Sequence, residues 1–315
     1  MCIIDEASKA TVTEALVPIS KAKRGILVGD PRQLPPFADE VKKSYEILNK
    51  YNLTKEDISQ TLFNYLLATL PEECRKVLSV EYRMIQPISD LISHCFYNDS
   101  PLEAQNTKDG KDYQDYLDNF SQVIPKPVTW FSTAKLNGRE NKPSQANSTT
   151  QQNTLEAKMI MKILNLLDIQ AEKSKENKNY SIAVITGYGG QRDLLSKLLS
   201  QKFKQTEGED FWKGQGIQIV CNTVDAFQGD EADIAIFSVT LSNAENKIGF
   251  LSSYERINVA LSRGKIGLII LGDHDFCERI GDNPLRDVFK YIKSKPEDCC
   301  LIDEKQTLSQ IGLIP

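Results

Sequence analysis

Two acidic residues near the start of the chain are the first that could do chemistry. Asp5 and Glu6 directly follow the apolar run Cys2–Ile4. Acids at the carboxyl end of a buried strand lie at the edge of an open α/β sheet, where ligands bind. In phosphoryl transfer such an acid holds magnesium, and a neighbouring carboxylate orients or deprotonates the attacking water. An acidic helix N-cap after a strand is the alternative interpretation, and the pair taken alone favours it.

A second segment with candidate functional residues occupies positions 25–36 and reads GILVGDPRQLPP. A strand is predicted over Gly25–Val28, and a Gly-Asp-Pro turn ends it. The prolines that follow restrict the loop after the strand. Gln33 is an uncharged donor and acceptor, so it could bridge a phosphate and a water. A proline-capped turn without chemistry is the alternative, and it is the weaker one beside Asp5 and Glu6.

The elements that must position these residues alternate along the chain. Short runs rich in Ile and Val are typical of strands that are buried on both faces of a sheet. The predicted strands are Cys2–Ile4, Gly25–Val28, Val128–Phe131, Ile182–Ile185, Ile217–Val220, Ile234–Ser238 and Ile266–Leu271. The predicted helices are Gln60–Leu70, Ile88–Phe96, Leu155–Leu167, Gln191–Leu199, Tyr254–Leu261 and Pro284–Lys293. Strands that alternate with helices predict an α/β fold with a parallel sheet.

The 315 residues suggest about two domains. A turn-rich region around Val77–Val80 is the candidate boundary between them. Polar stretches at 134–153 and 170–179 are predicted to be solvated loops.

Six segments in order carry a resemblance to a known family. They are DEAS at 5–8, GDPRQLPP at 29–36, EYRM at 81–84, TGYGGQ at 186–191, VDAFQGDE at 224–231 and NVALSR at 258–263. The set resembles superfamily 1 helicases, in the branch of the up-frameshift, nonsense-mediated-decay RNA helicase. The resemblance implies RecA-like lobes of the P-loop NTPase fold. We therefore expect part of a first lobe at 1–78, a complete second lobe at 79–297 and a C-terminal tail at 298–315.

The resemblance also implies which residues act on ATP. Asp5 would hold Mg²⁺ through water, Glu6 would activate the attacking water, and Gln33 would sense the γ-phosphate. Arg83 and Arg263 would bring planar cationic groups to the γ-phosphate and stabilise the transition state, as arginine fingers do.

The rest of the nucleotide would be bound by residues of the second lobe. Tyr82 would stack on the base, because an aromatic ring tolerates every base. Gly229 and Glu231 would line the nucleotide, with Glu231 accepting from a ribose hydroxyl. Arg256 lies two helical turns before Arg263 on nearly the same face, so it is a second candidate near the phosphates. A half-buried core tyrosine, a solvated loop acid and a surface ion-pair arginine are the alternatives for Tyr82, Glu231 and Arg256.

Nucleic-acid contact is less visible in the sequence. The resemblance implies a single strand of RNA or DNA that is held mainly through its phosphates, which suits hydroxyl and backbone N–H donors. Thr186 and Thr223 follow predicted strands and could supply such hydroxyls, although both could be ordinary strand-end threonines. Glu81 stands where the family usually has Gln.

One motif of the family is absent from these 315 residues. No G-x-x-x-x-G-K-[ST] phosphate loop occurs, although such a loop and its lysine anchor the β- and γ-phosphates of ATP. We therefore expect an N-terminal helicase half, in the same or another chain, and negligible ATP hydrolysis by this chain alone. The leading prediction is an ATP-dependent helicase or translocase. The alternative is a nucleic-acid-binding or regulatory module that has lost the phosphate loop.

Composition sets further limits on the class of protein. Lys and Arg number 38 against 43 Asp and Glu, so the net charge is −5 and gives no global attraction to nucleic acid. No apolar run approaches the roughly 18–20 residues that cross a bilayer, so no membrane partner is expected. Seven cysteines without C-x-x-C spacing and two histidines make a Cys/His metal site improbable. A reducing compartment is expected, either the cytoplasm or another intracellular one, with the nucleus left open.

Overall fold

A computed structural model describes residues 1–36, 45–52, 54, 60–105, 119–145, 148–174, 179–205, 208–227, 229–310 and 312–314. The chain divides into two compact units, Met1–Leu78 and Ser79–Pro315. Each unit contains parallel strands of its own, so each places candidate residues at the carboxyl edge of its own sheet.

The first unit has two parallel strands with a helix between them. Its elements are β1 (Cys2–Ile4), α1 (Val12–Ser20), β2 (Gly25–Leu27), α2 (Tyr45–Tyr51), α3 (Leu62–Thr69) and a 3₁₀ turn (Glu72–Cys74). Helix α1 begins at a capping box, in which the Thr11 hydroxyl accepts from Glu14 N and the Glu14 carboxylate accepts from Thr11 N. β1 and β2 pair in parallel with Cys2 opposite Gly25, so the loops that follow both strands lie at one edge.

Gly29 allows the two loops to approach closely. A Cβ atom at this position would lie 2.8 Å from Ser8 N and 3.3 Å from Ala7 N, and backbone atoms of that kind cannot move aside cheaply. We expect Gly29→Ala to lower the free energy of unfolding of the first unit by about 1–3 kcal/mol, because it overpacks the loop contact. Urea unfolding would measure this. Gly25→Ala is the matched control, because the nearest atom to its Cβ would be 3.8 Å away, and an equal loss there would contradict the argument.

The second unit begins with short elements and continues as alternating strands and helices. In chain order it contains β3 (Val80–Glu81), α4 (Gln86–Phe96), β4 (Glu103–Ala104), β5 (Val128–Ser132), β6 (Lys142–Pro143), β7 (Gln151–Gln152), α5 (Thr154–Lys173), β8 (Tyr180–Thr186), α6 (Gly189–Lys202), β9 (Lys204–Gln205), β10 (Trp212–Lys213), β11 (Ile217–Thr223), β12 (Ala232–Ser238), α7 (Tyr254–Leu261), β13 (Gly264–Gly272), α8 (His274–Arg279), α9 (Pro284–Ser294), β14 (Cys299–Ile302) and α10 (Lys305–Gln310). Of two 3₁₀ turns, Val224–Ala226 lies between β11 and β12, and Gly249–Ser252 lies between β12 and α7.

In the described residues of this unit, eight strands form one sheet in the order β14–β5–β13–β12–β8–β11–β10–β9. The strands from β14 to β11 are parallel, and β10 pairs antiparallel with both β11 and β9. The crossover from β8 leads to β11 on one side, whereas the crossover from β12 leads to β13 on the other side. The topological switch point of the sheet therefore lies between β8 and β12. Open α/β sheets bind ligands outside the carboxyl ends of their strands at such a point.

The apolar strands explain why this sheet forms the centre of the unit. β5, β8, β12 and β13 are buried along almost their whole length, as expected for parallel strands that are covered on both faces. Trp130 on β5 is fully buried, and its indole N–H donates to the Gly272 carbonyl at 3.0 Å. The buried polar atom is thus paired, which burial requires.

The predicted α/β fold with a parallel sheet is confirmed, and three details of the sequence interpretation need correction. The stretch 170–179 was predicted as a loop, but α5 continues to Lys173 because Ala171 and the turn before it still pack inward. The stretch 134–153 contains the antiparallel pair β6 and β7. The predicted tail 298–315 contributes β14, which pairs in parallel with β5 and extends the main sheet.

Helix α5 is amphipathic. Ile160, Ile163 and Leu167 are buried, whereas Lys158 and Lys162 are exposed. In the described ranges, none of the helices has both the length and the apolarity that a bilayer-crossing segment needs.

Candidate functional site

Backbone contacts bring the two candidate loops of the first unit together. Ala7 N donates to Val28 O at 2.8 Å, and Asp30 N donates to Ser8 Oγ at 3.3 Å. The Asp5-Glu6 segment after β1 and the segment after β2 that carries Gln33 are therefore neighbours at one sheet edge. This is the arrangement that the sequence predicts for these loops.

The two acids project from a turn with an unusual backbone. Glu6 has a φ of 52°, in the left-handed region that residues with a side chain seldom adopt. Glu6 N donates to Asp5 Oδ1 at 2.9 Å, and both acidic residues are exposed. Gln33 is half-buried, and its amide Nε2 donates to Asp30 Oδ2 at 3.2 Å, which leaves its carbonyl oxygen at the same edge. An exposed carboxylate pair next to an amide is suited to binding a hydrated cation and a water molecule.

In the second unit, a tight turn presents Tyr82 and Arg83. Glu81 closes this turn, because its Oε2 accepts from Arg83 N at 3.0 Å and from Met84 N at 3.1 Å. Ile85 N donates to Lys265 O at 2.9 Å, which fixes the turn against β13. Met84 and Ile85 are buried, whereas Tyr82 is 58% exposed, so its ring is available for stacking. The core-tyrosine alternative for Tyr82 therefore does not describe this structure.

Arg83 joins three distant segments of the chain. Its Nε donates to Glu231 Oε2 at 3.0 Å, and its Nη1 donates to Ser262 O at 3.2 Å. Lys265 Nζ lies 2.6 Å from Glu231 Oε1, so the carboxylate is bound by a cation on each side. The hydrogen bond from Lys265, together with Arg83, holds the pKa of Glu231 below its usual value, although partial burial opposes this. We call Arg83, Glu231 and Lys265 the charge cluster.

Arg263 is placed differently from the sequence expectation. It is 1% exposed, and its Nε donates to Val259 O at 2.8 Å. Its Nη1 donates to Asp230 O at 3.3 Å and its Nη2 to Ser262 Oγ at 2.9 Å. The guanidinium thus fastens the last turn of α7 to the loop before β12. In this conformation it does not present a face to a phosphate.

Arg256, the second candidate on α7, lies at a partly open position. Its Nε donates to Asp225 Oδ1 at 3.2 Å, and its guanidinium carbon lies 5.1 Å from the ring centroid of Phe250. Phe250 also packs against Tyr188, whose hydroxyl oxygen accepts from Phe250 N at 3.1 Å. This cluster joins the carboxyl ends of β8 and β11 to the start of α7. The structure therefore leaves Arg256 more accessible than Arg263.

The two candidate threonines also differ. Thr186, at the end of β8, is fully buried, and its hydroxyl pairs with Thr240 Oγ1 at 3.0 Å. Thr223, at the end of β11, is half-buried, and its backbone caps the 3₁₀ turn that follows. In this conformation a nucleic-acid strand could contact Thr223, but it could not contact the buried Thr186 hydroxyl. Gly229 has a φ of +88°, which only glycine adopts without strain, and it is exposed.

A buried polar network that the sequence analysis missed lies at the same sheet edge. Glu156 on α5 is fully buried, and its Oε2 accepts from Ser238 Oγ at 2.6 Å and from Thr240 N at 2.8 Å. Its Oε1 accepts from Asn153 Nδ2 at 3.1 Å. Burial raises the pKa of Glu156 to about 8. The spacing of Asn153 and Glu156, which is typical of a helix N-terminus, was the available signal.

The same network extends to α6 through one side chain. Gln191 Oε1 accepts from Asn153 N at 2.7 Å, and Gln191 Nε2 donates to Ser238 Oγ at 3.0 Å. Gln191 is fully buried, so both ends of its amide are satisfied inside the protein. The network therefore fixes the starts of α5 and α6 relative to the ends of β8 and β12.

Comparison with known proteins agrees with this geometry. Sequence models of families described as "AAA domain" match residues 58–275 and residues 1–40. The larger match covers more than half of the chain, and together with the parallel sheet it defines an NTPase domain of this class. The six ordered motifs and the relatives described next specify the class further.

The relatives are helicases. The Helicase sen1 of Schizosaccharomyces pombe is 34% identical over 86% of this chain and 14% of its own length. The ATP-dependent helicase NAM7 of Saccharomyces cerevisiae is 31% identical over 86% of this chain and 25% of its own length. The DNA polymerase alpha-associated DNA helicase A of the same yeast is 28% identical over 94% of this chain and 40% of its own length. The chain belongs to the superfamily 1 helicases, in the up-frameshift-like branch, and its sheet is the RecA-like sheet of that family. It spans between 14% and 40% of the length of these three relatives.

Proposed function

We propose that this chain is the part of an ATP-dependent helicase or translocase that acts on single-stranded RNA or DNA. The observation that carries the proposal is the convergence on Arg83. That side chain contacts Glu231 and the Ser262 carbonyl, which are 148 and 179 residues away in the sequence. Each contact comes from a different motif of the family. A nucleotide site assembled from separate motifs would bring their side chains together in this way, which supports the proposal.

The acids of the first unit are assigned to the reacting phosphate. Asp5 would hold Mg²⁺, since a hard cation prefers carboxylate oxygens and usually takes one or two of them beside phosphates and water. Bound Mg²⁺ would neutralise charge on the phosphates of ATP. Glu6 would orient and deprotonate the attacking water, and Gln33 would contact the γ-phosphate. The exposure of Asp5 and Glu6, with the half-buried Gln33 on the neighbouring loop, supports these roles.

The second unit is assigned to the nucleotide and the γ-phosphate. Tyr82 would stack on the base, and Gly229 and Glu231 would line the ribose side. Arg83 and Arg256 would supply the cationic groups, because both keep part of the guanidinium at the surface. Arg263 is reassigned from the γ-phosphate to holding α7 in place, because its donors are turned inward onto Val259, Asp230 and Ser262.

Nucleic acid is assigned to the carboxyl edge of the main sheet. Thr223 and the backbone N–H groups of the loops there suit phosphate contacts, which position a strand without reading its sequence. Thr186 would act indirectly, through its hydrogen bond to Thr240 and the loop that follows. All seven cysteines lie in the described ranges and carry free thiols, which supports a reducing intracellular compartment, cytoplasm or nucleus.

The first unit exposes apolar strand residues that a further segment could cover. Ile3 on β1 is 60% exposed and Ile26 on β2 is 48% exposed, which is unusual for a two-stranded parallel sheet. We infer that a segment with strands of its own and a G-x-x-x-x-G-K-[ST] loop, in this or another chain, pairs with this sheet. That segment would supply the phosphate-binding lysine.

The activity of the chain tests the proposal. We expect the 315-residue chain to bind single-stranded RNA or DNA weakly and to hydrolyse ATP negligibly, because no phosphate-loop lysine is present. Fusion to the phosphate-loop segment of a relative should produce nucleic-acid-stimulated hydrolysis. Glu6→Gln should lower its kcat about 10²–10⁴-fold, the usual effect of losing a catalytic base.

Steady-state hydrolysis with and without poly(U) or poly(dT) would provide the measurement. Glu73→Gln, which removes an exposed carboxylate from the 3₁₀ turn, is the matched control and should leave kcat unchanged. Robust turnover by the unfused chain that survives Glu6→Gln would contradict both the Glu6 assignment and the need for the phosphate loop. Nucleic-acid binding without turnover in the fusion would favour the regulatory-module alternative.

A further inference from the structure

We propose that Lys265 is a positioning residue that lets Arg83 move from Glu231 to the γ-phosphate of ATP. It would do so by keeping the Glu231 carboxylate neutralised and in place after Arg83 leaves. The inference rests on the proposed function and assigns a role to a lysine outside the motifs that carry the family resemblance.

The geometry of the charge cluster gives each cation its own carboxylate oxygen. Arg83 Nε occupies Oε2 of Glu231 at 3.0 Å, and Lys265 Nζ occupies Oε1 at 2.6 Å. Removal of Arg83 would therefore leave the bond to Lys265 intact. Lys265 is held at this distance, since it lies on β13 and its carbonyl accepts from Ile85 N at 2.9 Å. The turn that carries Arg83 is thus hydrogen-bonded to the strand that carries Lys265.

Electrostatics gives Lys265 its effect on Arg83. Glu231 carries a lowered pKa and is ionised at neutral pH, so its charge attracts Arg83 and repels the phosphates of ATP. A second cation on the carboxylate weakens both effects. Without Lys265, Arg83 would be held more tightly at Glu231, and transfer to a γ-phosphate would be less favourable. ADP has no γ-phosphate and would not require the transfer.

The difference between ATP and ADP provides the test. In the fusion that carries a phosphate loop, with Glu6→Gln to slow hydrolysis, the Nε–H resonance of Arg83, assigned from the spectrum of Arg83→Lys, would be followed during titrations with MgATP and MgADP. We expect Lys265→Met to weaken the response to MgATP roughly 5-fold, which corresponds to a partly exposed ion pair, and to leave MgADP within roughly twofold. Lys265→Arg should restore the wild-type response to MgATP. A merely structural lysine would change both nucleotides alike.

A second measurement separates this inference from the proposed function. The carboxyl carbon of Glu231, followed by NMR against pH, should show a higher pKa in Lys265→Met, because its strongest partner is lost. Lys213→Met is the matched control, since it removes a lysine that pairs with Glu209 at 3.0 Å on the edge hairpin, and it should change neither readout.

An equal MgATP response in wild type and Lys265→Met, or an unchanged pKa of Glu231, would overturn the role of Lys265 and leave the nucleotide site standing. A wild-type Arg83 resonance that responds to neither nucleotide would overturn the assignment of Arg83 to the γ-phosphate, and the role of Lys265 with it.

Discussion

Replacing Glu156 with Gln is expected to flatten the pH dependence of the stability of the second unit between pH 5 and 9. Burial raises the pKa of Glu156 from 4.5 to about 8 in the folded protein. The folded state then binds a proton that the unfolded state has released. This contribution to stability is complete below pH ~4.5 and is lost at about 1.4 kcal/mol per pH unit up to pH ~8. Gln cannot ionise, so the variant should lose this slope.

The two stability curves should therefore cross. At pH 5, Glu156→Gln should lower the free energy of unfolding by about 1–2 kcal/mol. The Gln amide nitrogen would face Asn153 Nδ2, and two donors cannot bond to each other. At pH 9, the variant should be as stable as wild type or more stable, since no buried charge remains. Glu156→Ala should destabilise by about 3–5 kcal/mol at pH 5, because it leaves a cavity and orphans Thr240 N and Ser238 Oγ, and its curve should also lack the slope because Ala cannot ionise.

Urea unfolding at pH 5, 7 and 9 would measure the three proteins. Asp273 lies near enough to raise the pKa of Glu156 by its charge, and Arg139 pairs with Asp273 at 3.3 Å. Asp273→Asn is therefore the matched control, and it should keep the slope that Glu156 produces while shifting its midpoint to lower pH. Parallel curves for wild type and Glu156→Gln would refute the assignment of the slope to Glu156.

The network around Glu156 also accounts for a strained backbone. Thr240 has a φ of 68°, which is rare for a β-branched residue and costs on the order of 1–3 kcal/mol. Glu156 offsets that cost by accepting from Thr240 N, and Thr186 adds a hydroxyl contact. The loop after β12 therefore leaves the sheet in a fixed direction at the edge to which nucleic acid is assigned. Strain that is held at a sheet edge in this way fits a binding loop better than a passive connection.

The regular elements of the fold could be predicted because their signals are local. β1 and α7 have the predicted bounds, and β5, β8, β11, β12 and β13 extend the predicted runs by only a few residues. Runs of Ile and Val favour buried strands, and the helices between them carry a clear apolar stripe. Parallel pairing follows because each strand is separated from the next by a crossover segment.

The elements that were missed depend on partners elsewhere in the chain. β3 and β4 are two residues each and pair only because the turn at Glu81 is anchored to β13. β14 is a short edge strand that forms by pairing with the free hydrogen-bonding edge of β5. Helix α1 contains Pro18, which argues against a helix from local propensity, yet its capping box at Thr11 starts one. The contacts of β3, β4 and β14 cannot be read from a window of neighbouring residues; α1 is the exception, because its capping box is a local signal.

The site could be predicted only in part, for a related reason. Motif resemblance proposed Arg83 and Glu231 as nucleotide-site candidates, and the structure joins these two side chains in an ion pair. It could not show that Arg263 is buried or that the Thr186 hydroxyl faces inward, because residue type does not determine orientation. Lys265 was missed since one lysine after a glycine carries no pattern.

Substituting Arg256 on α7 and Arg263 just beyond its end should have opposite consequences, and this is the second large effect that we expect. Arg263→Ala should lower the free energy of unfolding by about 3–5 kcal/mol. It removes a buried side chain, takes the Arg263 donor from the Asp230 carbonyl, and leaves the Val259 carbonyl with the longer bond from Ser262 Oγ at 3.4 Å. Arg256→Ala should cost no more than about 1 kcal/mol, because its ion pair with Asp225 is partly exposed and screened by water.

Arg256 should have the larger effect on the kcat of ATP hydrolysis, because it is the residue assigned to the phosphate. In the fusion that carries a phosphate loop, Arg256→Ala should keep its fold, as judged by circular dichroism and urea unfolding, and lose kcat by about 10³-fold, the usual effect of removing an arginine finger. Arg256→Lys should recover little of that loss, because a lysine lacks the planar fork that matches phosphate oxygens. A stable Arg263→Ala that loses turnover while Arg256→Ala keeps it would reverse the assignment. The inward bonds of Arg263 would then belong to a resting conformation, which must open before ATP is hydrolysed.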